Sequence, residues 1–285
     1  MSENLERGVD ALGSVIGKML VTNKDEGDYV GEDGLLYCGK CHTRRQFKIE
    51  ILGEMRKAPI MCKCREEAKK KEDEAIRKRE VQERIQRLKL EGITDTEYLK
   101  WTLDNDDRKR PEISEAVKRY CDNWETMRKD NVGILFYGDV GTGKTFFAAC
   151  IANELINRGT PVLMTNITLL ISAMSKNYEE KKTEILRRIS NIPLLILDDV
   201  GVERDTTFGY EKVQEIIDTR YRSGKPLIVT TNLSPSELKE PKDMRYKRVY
   251  DRILEMCHPI KVNGDSRRQE KAAEKRKNTK NILGI

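Results

Sequence analysis

Eight consecutive residues, Gly138-Asp139-Val140-Gly141-Thr142-Gly143-Lys144-Thr145, fit the pattern G-x-x-x-x-G-K-[ST] at every fixed position. Glycines let such a backbone fold into a concave loop whose N–H groups converge on phosphate oxygens, and a helix beginning there adds its positive end. Lys144 is expected to reach the β- and γ-phosphates and the Thr145 hydroxyl to ligate Mg²⁺, with Phe146 as the next residue of the same binding segment. An ordinary strand-to-helix turn would also tolerate glycine and threonine. The context argues for phosphate: an apolar run (Ile134, Leu135, Phe136, Tyr137) precedes the loop and a helical pattern follows it.

Two further stretches carry compatible chemistry. Leu194-Leu195-Ile196-Leu197-Asp198-Asp199 is an unbroken apolar strand ending in two carboxylates. Asp198 is expected to hold Mg²⁺ through water, and Asp199 to orient or deprotonate the attacking water. Many phosphate-loop ATPases carry Glu at the second position. Aspartate is one carbon shorter, so slower hydrolysis is conceivable. The next strand, Leu227 to Thr231, ends at Asn232, whose amide can position a water beside the γ-phosphate.

A separate chemistry lies near the N-terminus. Cys38-Gly39-Lys40-Cys41 and Cys62-Lys63-Cys64 form two close pairs separated by twenty residues. Thiolates so spaced can close a tetrahedral shell around Zn²⁺ and staple a module too small for its own core. The second pair is C-x-C rather than C-x₂-C, which leaves open whether His42 replaces one sulfur. Cys121, Cys150 and Cys257 stand alone and read as small apolar packing residues.

The elements that must position these groups follow from composition and periodicity. The chain has 285 residues, a net charge of +6, 36% charged and 38% apolar residues, enough for one proper core and a smaller module. It has neither a membrane-length apolar run nor a signal-peptide layout, so a cytoplasmic location with no membrane partner is expected. Seven cysteines in that compartment argue for thiols or metal ligands over disulfides. Leu5, Val9, Leu12, Ile16 and Leu20 share a helical face, which either docks on the protein itself or orders on a partner.

The expected organisation is an N-terminal helix and linker over 1–34, a zinc-binding module over 35–66 and a charged helical linker over 67–91, ending at Gly92. A nucleotide domain over 92–270 and a basic, mobile tail over 271–285 complete it. Within the large domain, Ile113, Val117, Tyr120 and Trp124 mark an amphipathic helix. Strands near 132–137, 161–165, 194–198 and 227–231 alternate with helices, the pattern of an α/β fold with a central parallel sheet.

The order of phosphate loop, L-D-D-V-G, T-T-N-L, Arg248-Val249-Tyr250-Asp251-Arg252 and Gly264-Asp265-Ser266-Arg267-Arg268 resembles the AAA+ ATPases that load the replicative helicase. These are the DnaC/DnaI type, with the transposition helper IstB as a near relative. The resemblance covers roughly residues 92–270, and the cysteine module is similar to that of Gram-positive-type loaders and their phage counterparts. It implies a P-loop AAA+ core that binds ATP or ADP. It makes Asn232 a first sensor, Arg268 a second sensor, and Arg252 an arginine finger acting on a neighbouring subunit, with Arg248 one turn away as the alternative. It also implies self-assembly, a hexameric replicative helicase as partner, and single-stranded DNA bound across 168–190, where Lys176, Tyr178, Lys181, Lys182, Arg187 and Arg188 lie. A transposition helper and a nucleotide-gated adaptor with little hydrolysis are the alternatives.

Overall fold

The structure, a computed structural model, describes residues 23–51, 53–175, 179–201 and 207–283. The helix expected between Leu5 and Leu20, and Lys176 and Tyr178 of the DNA-contact stretch, lie outside the described residues. The chain divides into two compact units, Met1–Gln82 and Glu83–Ile285.

In the first unit, β1 (Tyr29–Val30) pairs antiparallel with β2 (Leu36–Tyr37), and β3 (Gln46–Ile51) with β4 (Glu54–Pro59). Strand β3 alternates apolar Phe47, Ile49 and Ile51 with charged Lys48 and Glu50. Its partner β4 was not foreseen, because Glu54, Arg56 and Lys57 leave no apolar alternation to see. The buried apolar set is thin: Leu35, Leu36, Cys38, Ala58 and Cys62. At its centre is a charged group, Arg45, which is 3% exposed and pairs with Asp28 and Asp25.

Helix α1 (Lys63–Gly92) starts inside the cysteine module, four residues before the linker expected over 67–91. Its run of Lys, Arg and Glu contains no Gly or Pro before Gly92, so nothing breaks it. Ile85 and Leu88 of its last turns lie against the core of the second unit. A Cβ at Gly92 would meet the Val162 carbonyl oxygen at 2.2 Å, so only glycine lets the chain pass there.

The second unit is built on a five-stranded, all-parallel sheet in the order β6-β7-β8-β5-β9. The strands are β5 (Gly133–Tyr137), β6 (Val162–Asn166), β7 (Leu194–Val200), β8 (Leu227–Thr231) and β9 (Cys257–Lys261). Neighbouring residues of each strand feed opposite faces. Ile134, Phe136, Leu194 and Ile196 enter one core layer, with α2 (Pro111–Asp122), α3 (Trp124–Lys129) and α4 (Lys144–Asn157). Leu135, Leu195, Leu197 and Val229 enter the other, with α5 (Ile167–Ser175), α6 (Glu179–Asn191), α7 (Thr207–Ser223), α8 (Pro235–Lys239) and α9 (Lys247–Met256). Burial on both faces is why these strands read as continuous apolar runs. Cys121, Cys150 and Cys257 are all buried.

Fully buried Arg220 closes the base of the second layer by donating to the carbonyls of Ile189, Ile192, Pro193 and Pro226. The four expected strands are present, and β9 is a fifth, lying at the sheet edge beside β5. The basic segment expected as a mobile tail from 271 is instead part of helix α10 (Arg267–Leu283), which runs through the boundary placed at 270. No described helix is long and apolar enough to cross a membrane.

Candidate functional site

The phosphate-loop residues leave the C-terminal end of β5, Asn232 leaves the same end of β8, which pairs with β5, and both acids stand at that end of β7, the next strand beyond β8. In an open parallel sheet this is the edge where ligands bind. A cavity of about 500 Å³ opens there, and Lys144, Thr145, Asp199, Asn232 and Arg268 all line it. Gly141 and Gly143 form its floor at φ 84° and 102°, the left-handed region that glycine enters freely. A Cβ on Gly141 would meet the Ser266 hydroxyl oxygen at 2.1 Å, so a side chain would clash with the start of α10.

Lys144 is 5% exposed, and its ammonium donates to the carbonyls of Gly138 (2.8 Å) and Asp139 (2.7 Å). Burial pushes its pKa down, against the pull of Asp199, Asp139 and Asp198. Thr142 braces the loop through its hydroxyl, which donates to the Asp139 carbonyl at 2.9 Å. Val140, 61% exposed, stands at the loop's rim with Phe146 and Trp101 along the same cavity.

The two carboxylates do not follow the plain pleat. The pairing of β7 with β8 shifts register between Leu197 and Val200, and Asp199 sits at φ 56°. Such irregularities re-aim side chains beside functional sites. Asp198 is 1% exposed, its Oδ1 accepting from the Thr230 hydroxyl (2.6 Å) and its Oδ2 from the Tyr98 hydroxyl (3.1 Å). Burial raises its pKa, while hydrogen bonds from Thr230, Thr145 and Tyr98 oppose the rise. Asp199 faces the cavity, its amide held by Thr230 Oγ1 at 3.0 Å.

Both arginines at the start of α10 line the cavity. Arg267 is pinned by an ion pair to Asp107 (2.6 Å), by its amide to the Gly141 carbonyl (3.0 Å), and over the Phe146 ring at 5.4 Å. On α9, Arg252 ion-pairs with Asp218 of its own chain and stacks 5.0 Å from the Tyr221 ring. Arg248, one turn earlier, is 64% exposed and 3.9 Å from the same carboxylate. Of the cations in the expected DNA stretch, Lys182 pairs with Glu215 at 2.7 Å and Arg188 with the Glu91 carbonyl.

Sequence reasoning missed Tyr98, Thr230, Arg267 and Trp101 as members of this site. Thr230 was visible inside T-T-N, where only the asparagine was given a role. Tyr98 and Trp101 carried no local sign, being aromatics in a polar connector.

In the first unit, the Sγ atoms of Cys38, Cys41, Cys62 and Cys64 lie within 4.8 Å of one another. Sulfurs bound tetrahedrally at about 2.3 Å from zinc would stand about 3.8 Å apart, so the cluster fits the ion. The first pair sits on a turn in which the His42 amide donates to the Cys38 carbonyl; the second opens α1. The Thr43 hydroxyl leads in pulling the Cys41 thiol down to about 5, while the neighbouring thiols, Cys62 foremost, push Cys64 up to about 12. A divalent cation would relieve that crowding. His42 is not in the cluster; its ring lies 5.8 Å from that of Tyr29.

The site therefore offers what a nucleoside triphosphate with Mg²⁺ requires: loop amides and cations for phosphate, a hydroxyl and a buried carboxylate for the metal, and aromatic wall for a base. Comparisons with known proteins agree. The profile of the family described as "IstB-like ATP binding protein" matches residues 65–275. The replicative helicase loader DnaI of Bacillus subtilis (strain 168) is 27% identical over 177 residues, 58% of this chain and 57% of that protein. The replicative helicase loader DnaC of Escherichia coli (strain K12) is 34% identical over 122 residues, 42% of this chain and 49% of that protein. The chain spans about half the length of these curated relatives. A crystal structure of DnaI superposes with a TM-score of 0.52 at 24% identity, over 62% of this chain and 95% of that one, so the two share a fold.

Proposed function

We propose, from the premise that this chain belongs to the IstB-like ATP-binding protein family, that it is an ATP-hydrolysing loader that delivers a hexameric replicative helicase to single-stranded DNA. The observation carrying this reading is the single cavity faced by Lys144, Thr145, Asp199, Asn232 and Arg268. The helicase loaders DnaI and DnaC among its relatives support the choice of partner.

On this reading the loop amides from Gly138 to Gly143 and the Lys144 ammonium bind phosphate oxygens, the loop carbonyls giving up their hold on the lysine. Thr145 and Asp198 hold Mg²⁺, which when bound spreads the charge developing on the transferred phosphoryl group. Asp199 orients the attacking water and accepts its proton, and Asn232 fixes that water from the neighbouring strand. Arg268 contacts phosphate from the same subunit as a second sensor. The Arg252–Arg248 pair supplies a cation to the next subunit's site, so that turnover requires assembly. Cys38, Cys41, Cys62 and Cys64 hold Zn²⁺ in the module that grips the helicase. The protein works in the cytoplasm.

Arg252→Ala is expected to leave affinity for a fluorescent ATP analogue within about twofold of wild type. It should lower DNA-stimulated phosphate release about a thousandfold, the usual scale for an arginine finger. Because Asp218 already engages Arg252, the parallel variant Arg248→Ala is informative. Loss of turnover in that variant alone would move the role to the more exposed arginine.

Co-purification with a replicative helicase, with ATP present and absent, tests the function itself. ATP-dependent capture of the helicase is the expected result. Capture of a transposase in its place would favour the second reading, a transposition helper, which the family's name keeps in view. A nucleotide-gated adaptor would capture its partner while releasing no phosphate in a turnover assay.

A further inference from the structure

We propose that Tyr98 is a positioning residue for Asp198, its hydroxyl fixing the carboxylate that holds Mg²⁺; this rests on the nucleotide–metal reading above. Asp198 Oδ2 accepts from the Tyr98 hydroxyl at 3.1 Å, and Oδ1 from the Thr230 hydroxyl at 2.6 Å. Each oxygen of a carboxylate that is 1% exposed thus has its own donor, and the two donors come from separate elements of the domain. Thr230 belongs to the adjacent strand β8, whereas Tyr98 lies one hundred residues earlier, on the short 3₁₀ turn Thr96–Lys100.

That turn is held at both ends. The Asp95 carboxylate caps it by accepting from the Glu97 amide at 2.9 Å, and the Thr94 amide donates to the Met164 carbonyl at 3.1 Å on β6. The Asn153 side-chain amide donates to the carbonyls of Tyr98 (2.7 Å) and Trp101 (2.9 Å). Asn153 sits on α4, the helix that Lys144 and Thr145 begin. The tyrosine is therefore tied to the same rigid element as the phosphate loop, and the Trp101 ring 4.7 Å away fixes its plane. A free hydroxyl would be satisfied as well by water. Aimed by three backbone anchors at one carboxylate oxygen, it restricts the rotation of Asp198 about its last bond. Outer donors of this kind orient a metal-binding group, and their loss typically lowers metal affinity about 10–100-fold.

Tyr98→Phe removes the hydroxyl and keeps the ring beside Trp101. The measurement is the affinity of a fluorescent ATP analogue for the full chain, first in EDTA and then across a Mg²⁺ titration. The proposal expects affinity in EDTA and the thermal midpoint to match wild type, with the Mg²⁺ midpoint raised about tenfold. A Mg²⁺ midpoint equal to that of wild type would overturn it, as would an equal loss in EDTA and in Mg²⁺, which is the mark of a merely structural tyrosine. Wild-type protein that binds the analogue with no help from Mg²⁺ would instead overturn the metal premise, and the proposal with it.

Discussion

Lys144→Ala is expected to weaken binding of ATP·Mg²⁺ about a hundredfold or more, equivalent to about 3 kcal/mol, the scale for deleting one partner of a desolvated, hydrogen-bonded charge pair. The lysine is 5% exposed, so water cannot take over its role once phosphate is bound. Without nucleotide it is a buried cation neutralised by two loop carbonyls and by nearby acids, and burial already pulls its pKa down. Removing it should thus leave the thermal midpoint of the nucleotide-free protein nearly unchanged, or slightly raised, as happens where residues are kept for function at some expense of stability. Binding is read by fluorescence titration and folding by circular dichroism. Full ATP affinity in a folded Lys144→Ala protein would remove the phosphate reading of the loop; Lys144→Gln, closer in length, serves as the check if the alanine variant melts early.

How much of this could be read from the sequence depended on how local each cause was. The loop was legible because its chemistry is contiguous: eight neighbouring residues bring their own backbone conformation. The acids were legible because Leu194 to Leu197 are buried on both faces, which leaves an apolar run with an abrupt end. The shift of register beyond Leu197 and the left-handed backbone of Asp199 were not, since they depart from a plain pleat and only the pairing with β8 reveals them. Strand β9 was missed because Cys257-His258-Pro259-Ile260-Lys261 forms an edge strand that contains a proline and exposes His258, Pro259 and Lys261. Helix α10 lacks an apolar stripe, so its Lys, Arg, Glu and Ala content reads as a solvated tail although each is a good helix former. Adjacent arginines at its start both line the cavity, and the sequence could not show that Arg267 alone is tied to Asp107 and stacked on Phe146.

The same contrast separates the two arginines of α9. The family resemblance favours Arg252, yet in the folded chain its guanidinium is held by Asp218 and stacked on Tyr221. Such a hold cuts the entropy lost when a cation must meet phosphate in one orientation, but it also has to be given up or shared on assembly. Arg248, 64% exposed and at the edge of ion-pair range from the same carboxylate at 3.9 Å, is held far more loosely. If the proposed role in a neighbouring subunit holds, comparing their alanine variants measures whether preorganisation or reach governs it.

Zinc removal should have the other large effect. Among its described residues the first unit buries five apolar residues and one charged cluster, far less than a domain needs to offset its chain entropy. Structural zinc contributes about 10–16 kcal/mol to the folding of comparable small modules at neutral pH, more than such a unit's whole expected stability. Purified protein is expected to carry one zinc per chain by elemental analysis. A strong chelator should then abolish hydrogen-exchange protection across β1 to β4 while leaving that of β5 to β8 intact, because the parallel sheet has its own two-layer core. Cys38→Ser should reproduce the loss, and Cys121→Ser, in the core of the second unit, should not. His42→Ala should keep the metal, since its ring lies against Tyr29 and outside the sulfur cluster. Loss of zinc in that variant would bring the histidine into the shell. Protection of β1 to β4 that is the same with and without chelator would show that four close thiols in this chain are held by the fold and need no ion to hold it.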